Sequence, residues 1–386
     1  MKRQPNILFF FPDQHRGDYT ELSSNLPLKT PNIKQLADRG IAFTHGICPS
    51  PICAPSRACL ALGREYDHVR IINNGQNCPT NSPLFYKYLQ DAGYHTMGCG
   101  KFDLNKPRKS WGRNGQQIIK GRNFLKIWGF SDAIDNAGKP CGARVYIKRP
   151  EKTDPYLDYL EKKGLATTHA SDIHNRTATD SGPTPINDED YADNYIARNG
   201  LMLLNRAPRD KPWFLQVNFN GPHNPWDATE TMLLGWKDVK FPPPNDVSTP
   251  PKYPTDAMLG VQQNYAAEIE NIDRWLGKYI EILKERGDYE NTIIIYSSDH
   301  GEMLGDHGLM YKDKPYHPSV NVPLVIAGPG IVHRTPVNDP IALIHIVPTL
   351  LEYAMGSIPP VIQKRMDLSS QKGYWEGKTD QLPAYV

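Results

Sequence analysis

The chain has 386 residues, which is enough for one large α/β domain or two smaller ones. Its formal net charge of +2 at pH 7 does not favour binding to nucleic acid or to a membrane surface. No apolar run reaches the roughly 18 residues of a membrane span. The sequence starts without a signal peptide, which predicts a cytoplasmic protein, or a periplasmic or secreted one if a signal was removed.

The six cysteines are spaced irregularly and show neither the paired Cys-x-x-Cys of a zinc site nor the density of a disulfide scaffold. We expect all of them except Cys53 to be reduced core thiols. The 35 prolines and 20 tyrosines predict long ordered loops with aromatic faces, which suits a carbohydrate-binding surface.

The first predicted element is a buried strand over residues 6–11, a mostly apolar run that is typical of a parallel sheet. It runs into Asp13, Gln14 and His15. Open α/β sheets place their sites at the carboxyl ends of strands. Asp13 is therefore a candidate metal ligand, with a turn or helix cap as the alternative.

A short helix over 30–37 is predicted next, and then comes the segment 49–64, which contains Cys-Ala-Pro-Ser-Arg at 53–57. Proline disfavours helical geometry in the residue before it, so we predict a helix that begins just after Ala54. Cys53 would then lie near a helix N-terminus, where backbone N–H groups favour an anion. The alternative is a cysteine in a turn, because such short motifs also occur by chance.

A helix over 84–92 precedes a strand that begins at His95 and leads to Gly-Lys-Phe-Asp-Leu at 100–104. Lys101 could be a surface lysine, but its position at a strand end argues against that. Residues 106–185 are polar with weak periodicity, and we predict long insertions there rather than a separate domain.

The second half of the chain repeats the pattern of strands that end in polar motifs. A predicted strand over 212–220 leads into Gly-Pro-His-Asn-Pro at 221–225. A lone histidine is more often structural, but His223 lies between two prolines at a strand end, a position that suits a site. The remaining predictions are helices over 187–206 and 257–286, an extended proline-rich loop over 241–254, and strands over 292–297 and 322–327.

The strand over 292–297 leads into Ser-Asp-His-Gly-Glu at 298–302, and Lys312 follows after Asp-His-Gly-Leu at 306–309. Asp299 offers a hard oxygen and His300 a nitrogen to a metal ion. An ordinary turn from strand to loop is the alternative for this pair.

Together these motifs resemble those of the type I, formylglycine-dependent sulfatases of the alkaline phosphatase superfamily. Cys-x-Pro-x-Arg is similar to the family signature, and the other motifs follow in the family's order over about residues 5–356. The resemblance implies an α/β fold with a large mixed, mostly parallel β-sheet between helices. It also implies a catalytic domain over 1–356 and a short C-terminal segment over 357–386, which would be the remnant or the start of a smaller subdomain.

The resemblance also implies a site. In the family the cysteine, here Cys53, is oxidised to formylglycine, whose hydrated form has two hydroxyls. One hydroxyl attacks sulfur, and the other releases the sulfate. A divalent cation, Ca²⁺ with Mg²⁺ or Mn²⁺ as alternatives, would be held by the modified Cys53 together with Asp13, Asp299 and His300. The catalytic roles implied are sulfate binding by Arg57, Lys101 and Lys312 and protonation of the leaving alkoxide by His223.

Two positions depart from the usual pattern. Gln14 stands where sulfatases commonly have a second aspartate, as in phosphonate monoester hydrolases, and its side-chain oxygen could still reach the metal. Asp103 stands where the family usually has histidine, and we expect it to contact Lys101 or the glycan.

The function expected from these residues is hydrolysis of a sulfate ester, most simply of a sulfated carbohydrate, after maturation by a formylglycine-generating or sulfatase-maturating enzyme. The alternatives are a phosphonate monoester or phosphodiester hydrolase, or a glycan-binding relative without activity.

Overall fold

The structure, a computed structural model, describes residues 4–23, 25–79, 81, 83–246, 248 and 250–382. The strands within these residues are β1 (Asn6–Phe10), β2 (Ile41–Ile47), β3 (His95–Gly100), β4 (Ile118–Ile119), β5 (Arg122–Asn123), β6 (Asp132–Asp135), β7 (Trp213–Asn218), β8 (Thr292–Ser297), β9 (Asn321–Ala327), β10 (Arg334–Val337) and β11 (Ile341–Ala342).

The helices within the same residues are α1 (Pro31–Ala37), α2 (Cys53–Leu62), α3 (Tyr66–Val69), α4 (Phe85–Asp91), α5 (Phe124–Trp128), α6 (Lys139–Lys148), α7 (Pro155–Lys162), α8 (Ala166–Asn175), α9 (Ala192–Arg206), α10 (Glu230–Leu233), α11 (Thr255–Glu285), α12 (His317–Val320), α13 (Ile346–Met355), α14 (Pro360–Gln363) and α15 (Lys372–Trp375). None of them is long and apolar enough to cross a membrane.

One mixed sheet of nine strands forms the centre of the molecule. Its order is β10-β2-β9-β8-β1-β7-β3-β6, and β11 also pairs with β2. Strand β9 is antiparallel to β8 and β2, while every other pair is parallel. The predicted mixed, mostly parallel sheet is thus confirmed.

Helices cover both faces of this sheet. Side chains alternate along a strand, so Ile7 and Phe9 of β1 join the core that contains α2, α4 and α13. Leu8 and Phe10 point to the opposite face and join the core with α1, α9 and α11. A strand buried on both faces must be apolar throughout, which explains the continuous run at residues 6–11.

The structure corrects two predictions about local elements. Helix α2 begins at Cys53 rather than just after Ala54. This is possible because Pro55 lies in the first turn, where a backbone N–H has no partner within the helix. Helix α9 begins at Ala192, five residues later than predicted.

The region 106–185, predicted to consist of long insertions rather than a separate domain, contains regular elements in the structure. It contains α5 to α8, and β6 extends the central sheet by pairing with β3. Its weak periodicity has a physical cause: β6 lies at the edge of the sheet, and α6, α7 and α8 pack into small apolar clusters instead of the main core.

The C-terminal residues pack on the same core as the sheet. Met366, Leu368, Tyr374 and Trp375 are buried in the cluster that includes α2 and α13. The boundary at residue 356 stays a prediction.

A buried ion cluster joins three elements beneath the segment that carries His223. The Nζ of Lys139, at the start of α6, lies 2.6 Å from Asp227 Oδ1 and 2.8 Å from Glu268 Oε2. It also lies 3.2 Å from the hydroxyl of Tyr191 and 3.4 Å from the carbonyl of Pro225. The lysine and both carboxylates are fully buried, so each depends on the others for its charge balance.

We predict that Lys139→Met destabilises the fold by about 3–5 kcal/mol, because it leaves a buried carboxylate without its cation. Urea unfolding measures the loss. Lys148→Met, at the exposed end of the same helix, is the matched control and should change stability by less than about 0.5 kcal/mol. An equally small effect of both substitutions would contradict the role given to the cluster.

Candidate active site

Four adjacent parallel strands, β8, β1, β7 and β3, deliver side chains to one edge of the sheet. Asp13 follows β1, Lys101 follows β3, His223 follows β7 and Asp299 follows β8. Parallel strands end at the same edge, so residues more than 280 positions apart become neighbours.

Helix α2 adds Cys53 to this edge from its first turn. The Sγ of Cys53 lies 3.2 Å from His300 Nε2 and 3.9 Å from Asp13 Oδ1. Two neighbouring contacts hold the helix start. The backbone N–H of Ala54 donates to Asn74 Oδ1 at 3.0 Å, and Ser56 Oγ donates to the carbonyl of Asp299 at 2.6 Å.

Asp13, Cys53, Asp299 and His300 offer ligand atoms that all lie within 4.8 Å of one another, and all four residues are buried. His300 Nδ1 lies 3.0 Å from the carbonyl of Gly301, where it can only donate a proton, so Nε2 keeps its lone pair for a metal. Two carboxylates and one imidazole therefore fit a divalent cation, and the oxygen ligands favour Ca²⁺ or Mg²⁺.

Nearby cations stabilise the negatively charged forms of Asp13 and Cys53 in this cluster. Burial and the Cys53 thiol raise the pKa of Asp13, but Lys101, His223 and Arg57 outweigh them and hold that pKa well below its usual range. Burial likewise raises the pKa of Cys53, whereas Lys101 and Lys312 lower it, and the net result lies well below the usual thiol value. A negatively charged group at position 53 is thus stabilised by the surrounding lysines.

The guanidinium of Arg57 lies beneath the carboxylates and is almost fully buried. Its Nε donates to Asp299 Oδ2 at 2.8 Å, and its Nη2 lies 3.4 Å from Asp13 Oδ2. Its Nη1 donates to the Lys101 carbonyl and to Asn218 Oδ1. In the structure Arg57 thus contacts the two carboxylates and holds them in place. Its predicted part in sulfate binding stays a prediction.

Lys101, Asp103 and Lys106 form a second group of charged side chains next to the metal cluster. Lys101 Nζ contacts Asp13 Oδ2 and lies 3.3 Å from Asp103 Oδ2, as expected for a contact between Asp103 and Lys101. The same oxygen of Asp103 accepts a hydrogen bond from Lys106 Nζ at 2.5 Å. Burial raises the pKa of Asp103, but Lys101 and Lys106 outweigh it, so the carboxyl is ionised and balances both lysines.

Gln14 links the metal cluster to Lys312. Its backbone N–H donates to Asp299 Oδ1 at 3.0 Å. Its side-chain nitrogen donates to Glu302, and its side-chain oxygen accepts from Lys312. The amide is therefore oriented by an acceptor on one side and a donor on the other, a role that the sequence did not indicate.

His223 and Lys312 form a pair. Lys312 Nζ lies 2.5 Å from His223 Nε2, and His223 Nδ1 lies 2.5 Å from the Asn224 carbonyl. Burial and Lys312 lower the pKa of His223 to about 4, so the imidazole is neutral at pH 7 with its proton on Nδ1 and accepts from the ammonium group.

A cavity of about 840 Å³ opens next to these residues. Lys101, His223 and Lys312 line it together with Asn73 and Asn74, and the basic residues Lys106, Lys109 and Arg144 line it as well. Its volume and its polar lining suit a small polar ligand with negative charge.

The structure brings all eight predicted site residues together, but their roles stay predictions. The sequence analysis missed Lys106, Asn74 and Glu302 as members of the site. Lys106 had a weak signal, since it follows Asp103 by three residues in a turn, whereas Asn74 lies in a loop that nothing in the sequence connects to α2.

The free thiols follow the prediction with one exception. All six cysteines are free, and Cys48, Cys59, Cys78 and Cys99 are buried. Cys141 is only partly buried, because it lines the cavity instead of the core.

Solved structures with the same architecture define the class of this fold. The phosphonate monoester hydrolase of Agrobacterium radiobacter superposes with a TM-score of 0.78 at 23% identity, over 97% of this chain and 77% of that one. A protein solved in complex with its substrate D-glucosamine-2-N,6-O-disulfate gives 0.72 at 19% identity, over 99% of this chain and 82% of that one. At these identities the likeness concerns the fold alone, which is the alkaline phosphatase-like fold.

The family follows from the sequence comparison. The family model described as Sulfatase matches residues 5–357. An arylsulfatase of Clostridium perfringens is 28% identical over 392 aligned positions, which cover 93% of this chain and 77% of that protein. The chain belongs to the sulfatase family of the alkaline phosphatase superfamily and is thus a sulfuric ester hydrolase.

We predict that Asp13→Asn and Asp299→Asn each weaken Ca²⁺ or Mg²⁺ binding by at least about tenfold, because a carboxylate ligand becomes a neutral amide. Calorimetric titration of the chelator-treated protein measures the affinity. Asp313→Asn, an exposed carboxylate at the cavity, is the control and should bind metal as the parent does. Equal affinities for all four proteins would exclude the cluster as the metal site.

Proposed function

We propose that the protein hydrolyses sulfate esters of a carbohydrate through a formylglycine residue made from Cys53. The observation that carries this proposal is the position of Cys53. Its sulfur lies among Asp13, Asp299 and His300, at the first turn of α2, beside the lysines that line the cavity. This is where a nucleophile would meet both a bound cation and a sulfate group.

The metal and the modified residue supply the reactive groups. The cation, Ca²⁺ or alternatively Mg²⁺ or Mn²⁺, would neutralise the sulfate and lower the pKa of a hydroxyl. Hydrated formylglycine would provide one hydroxyl to attack sulfur and a second to release the sulfate. A formylglycine-generating or sulfatase-maturating enzyme is therefore a required partner.

The residues of the chain bind and orient the ester. Lys101 and Lys312 both line the cavity and both lower the pKa of Cys53. They would supply positive charge for the oxygens of the sulfate, which carry more charge in the transition state. Arg57 keeps Asp13 and Asp299 in place, so that their oxygens stay directed at the cation. Gln14 orients Lys312 through its side-chain oxygen.

The pair of His223 and Lys312 is the proton donor for the leaving alkoxide. His223 Nε2 accepts a hydrogen bond from Lys312, so a proton already lies between the two nitrogens. A bound sulfate anion raises the pKa of the imidazole, because an opposite charge nearby favours its protonated form. The proton can then pass through Nε2 to the departing oxygen.

A carbohydrate fits the cavity better than a purely apolar alcohol. Asn73 and Asn74 line it with amides, Tyr311 adds an aromatic ring with a hydroxyl, and its volume of about 840 Å³ can hold a sugar ring with substituents.

The alternative is a phosphonate monoester or phosphodiester hydrolase on the same nucleophile. Gln14 favours it, because the second aspartate of most sulfatases is replaced by a neutral amide. The two functions are distinguished by comparing kcat/KM on matched aryl esters. A sulfatase has the higher value on the aryl sulfate, and a phosphonate hydrolase has it on the aryl phosphonate. A relative that only binds glycans would show an unmodified cysteine when the mass of the peptide carrying residue 53 is measured.

We predict that Cys53→Ala abolishes hydrolysis of aryl sulfates by protein made together with a maturating enzyme, because it removes the nucleophile. Cys53→Ser should be nearly inactive unless an enzyme that converts serine is present. Cys59→Ala, in the same helix but away from the metal cluster, is the control and should keep turnover. Appreciable sulfatase activity in Cys53→Ala would refute the proposal, and a higher kcat/KM on the phosphonate ester would favour the alternative.

We predict that His223→Ala lowers kcat on a sulfated sugar by about 10²–10⁴-fold and lowers kcat on 4-nitrophenyl sulfate much less. The sugar alkoxide needs a proton as it leaves, whereas the nitrophenolate does not. Steady-state kinetics on both substrates measure the difference. Equal losses would assign His223 to sulfate binding or positioning instead.

A further inference from the structure

The cavity has three cations in addition to the two that accompany one sulfate ester. Lys101 and Lys312 already accompany the reacting sulfate, whereas Lys106, Lys109 and Arg144 line the rest of the cavity. We call these last three residues the basic wall. All three line the same cavity as Cys141.

The charges of the basic wall are mostly unbalanced. Asp103 accepts a hydrogen bond from Lys106 but shares its single charge with Lys101. Among the residues that the structure describes, no carboxylate lies within the 4.0 Å of an ion pair from Lys109 or Arg144. Among the described residues that line the cavity, Asp313 is the one carboxylate, and it forms an ion pair with Lys314 at 3.9 Å. The cavity thus keeps a positive potential after the reacting sulfate has been matched.

The backbone presents the basic wall to the cavity in two ways. Lys106 and Lys109 flank a short 3₁₀ turn, and Lys109 has a left-handed φ of 49°, a conformation that is unfavourable for a residue with a side chain. On α6, Pro140, Cys141 and Arg144 line the cavity, and their spacing corresponds to one face of the helix.

Helix α6 also gives an estimate of the distance between Lys101 and Arg144. Gly138, just before the helix, packs on Lys101: a Cβ there would lie 3.0 Å from Lys101 Cε. Arg144 is six residues further, or about 9 Å along a helix that rises 1.5 Å per residue. That separation spans a sugar ring with its substituents, so a group on the same or the adjoining sugar reaches Arg144 while the ester lies at Lys101.

We propose that the substrate carries a second anionic group, a sulfate or a carboxylate, beside the ester that is cleaved, and that Lys106, Lys109 and Arg144 bind it. This inference rests on the proposed function, because it takes the reacting ester to lie at Lys101 and Lys312. Guanidinium and ammonium groups bind such anions by charge-assisted hydrogen bonds, which are stronger than neutral ones. Asp103, in the place of the family's histidine, holds Lys106 in this wall.

Binding to the Cys53→Ala protein tests the proposal without requiring hydrolysis. The probes are N-acetylglucosamine 6-O-sulfate with one anion, glucosamine 2-N,6-O-disulfate with two sulfates, and the same 6-O-sulfated sugar linked to a uronic acid. We expect at least one dianionic probe to bind about tenfold or more tightly than the monosulfate in calorimetric titration. The probe that shows the preference tells whether the second anion is a sulfate or a carboxylate.

Substitutions then show which residues cause the preference for dianionic probes. Adding Lys109→Gln or Arg144→Gln to Cys53→Ala should each reduce the ratio of dianion to monoanion affinity several-fold, and the combination of both with Lys106→Gln should remove it. Adding Lys148→Gln, on α6 but outside the cavity lining, should leave the ratio unchanged. The preference should also shrink between about 50 and 500 mM sodium chloride, because salt screens exposed charges.

Three results would overturn the proposal. They are equal affinity for all probes, a preference that survives the combined substitution, and no measurable binding of either dianionic probe. Failure of the proposed function gives a different pattern, in which mature protein with Cys53 intact does not hydrolyse aryl sulfates while the affinity ratios still depend on Lys109 and Arg144.

Discussion

The site depends on the charge balance around two buried carboxylates. Asp13 and Asp299 lie at the ends of neighbouring strands, fully buried, and each would be strongly destabilised without a cation. Arg57 contacts both, and Lys101 adds its charge to Asp13. Because Arg57 belongs to α2, the same contacts that stabilise the carboxylates also fix the helix whose first residue is Cys53.

This arrangement connects the fold to the chemistry. A sheet with four parallel neighbours in its centre exposes the carboxyl ends of all four strands at one edge, where the candidate metal ligands, two lysines and a histidine converge. The elements around that edge are held by buried interactions of their own. Lys139 links α6, the segment after β7 and α11, so the cavity is formed by parts that are rigidly connected.

The positive charge that serves the reaction also extends beyond it. Lys101 lines the cavity, Asp103 joins it to Lys106, and the basic wall continues to Arg144. The charge of aspartate alone would suggest that a change from histidine to aspartate at position 103 opposes anion binding. In this site it does not. The carboxylate is neutralised by two lysines and serves to place a second cation at the cavity.

The sequence determined the local parts of this protein. Apolar runs followed by polar motifs predicted the central strands, the ends of those strands pointed to Asp13, Lys101, His223 and Asp299, and the motif at 53–57 pointed to Cys53 as a member of the same site. The tertiary structure alone decided which partners these side chains have. In the structure Arg57 contacts the carboxylates, and Gln14 hydrogen-bonds to both Glu302 and Lys312. The region 106–185 contains helices and an edge strand. The physical reason is that strand and helix signals are local in the chain, whereas charge pairing and the coverage of an edge depend on residues that only folding brings together.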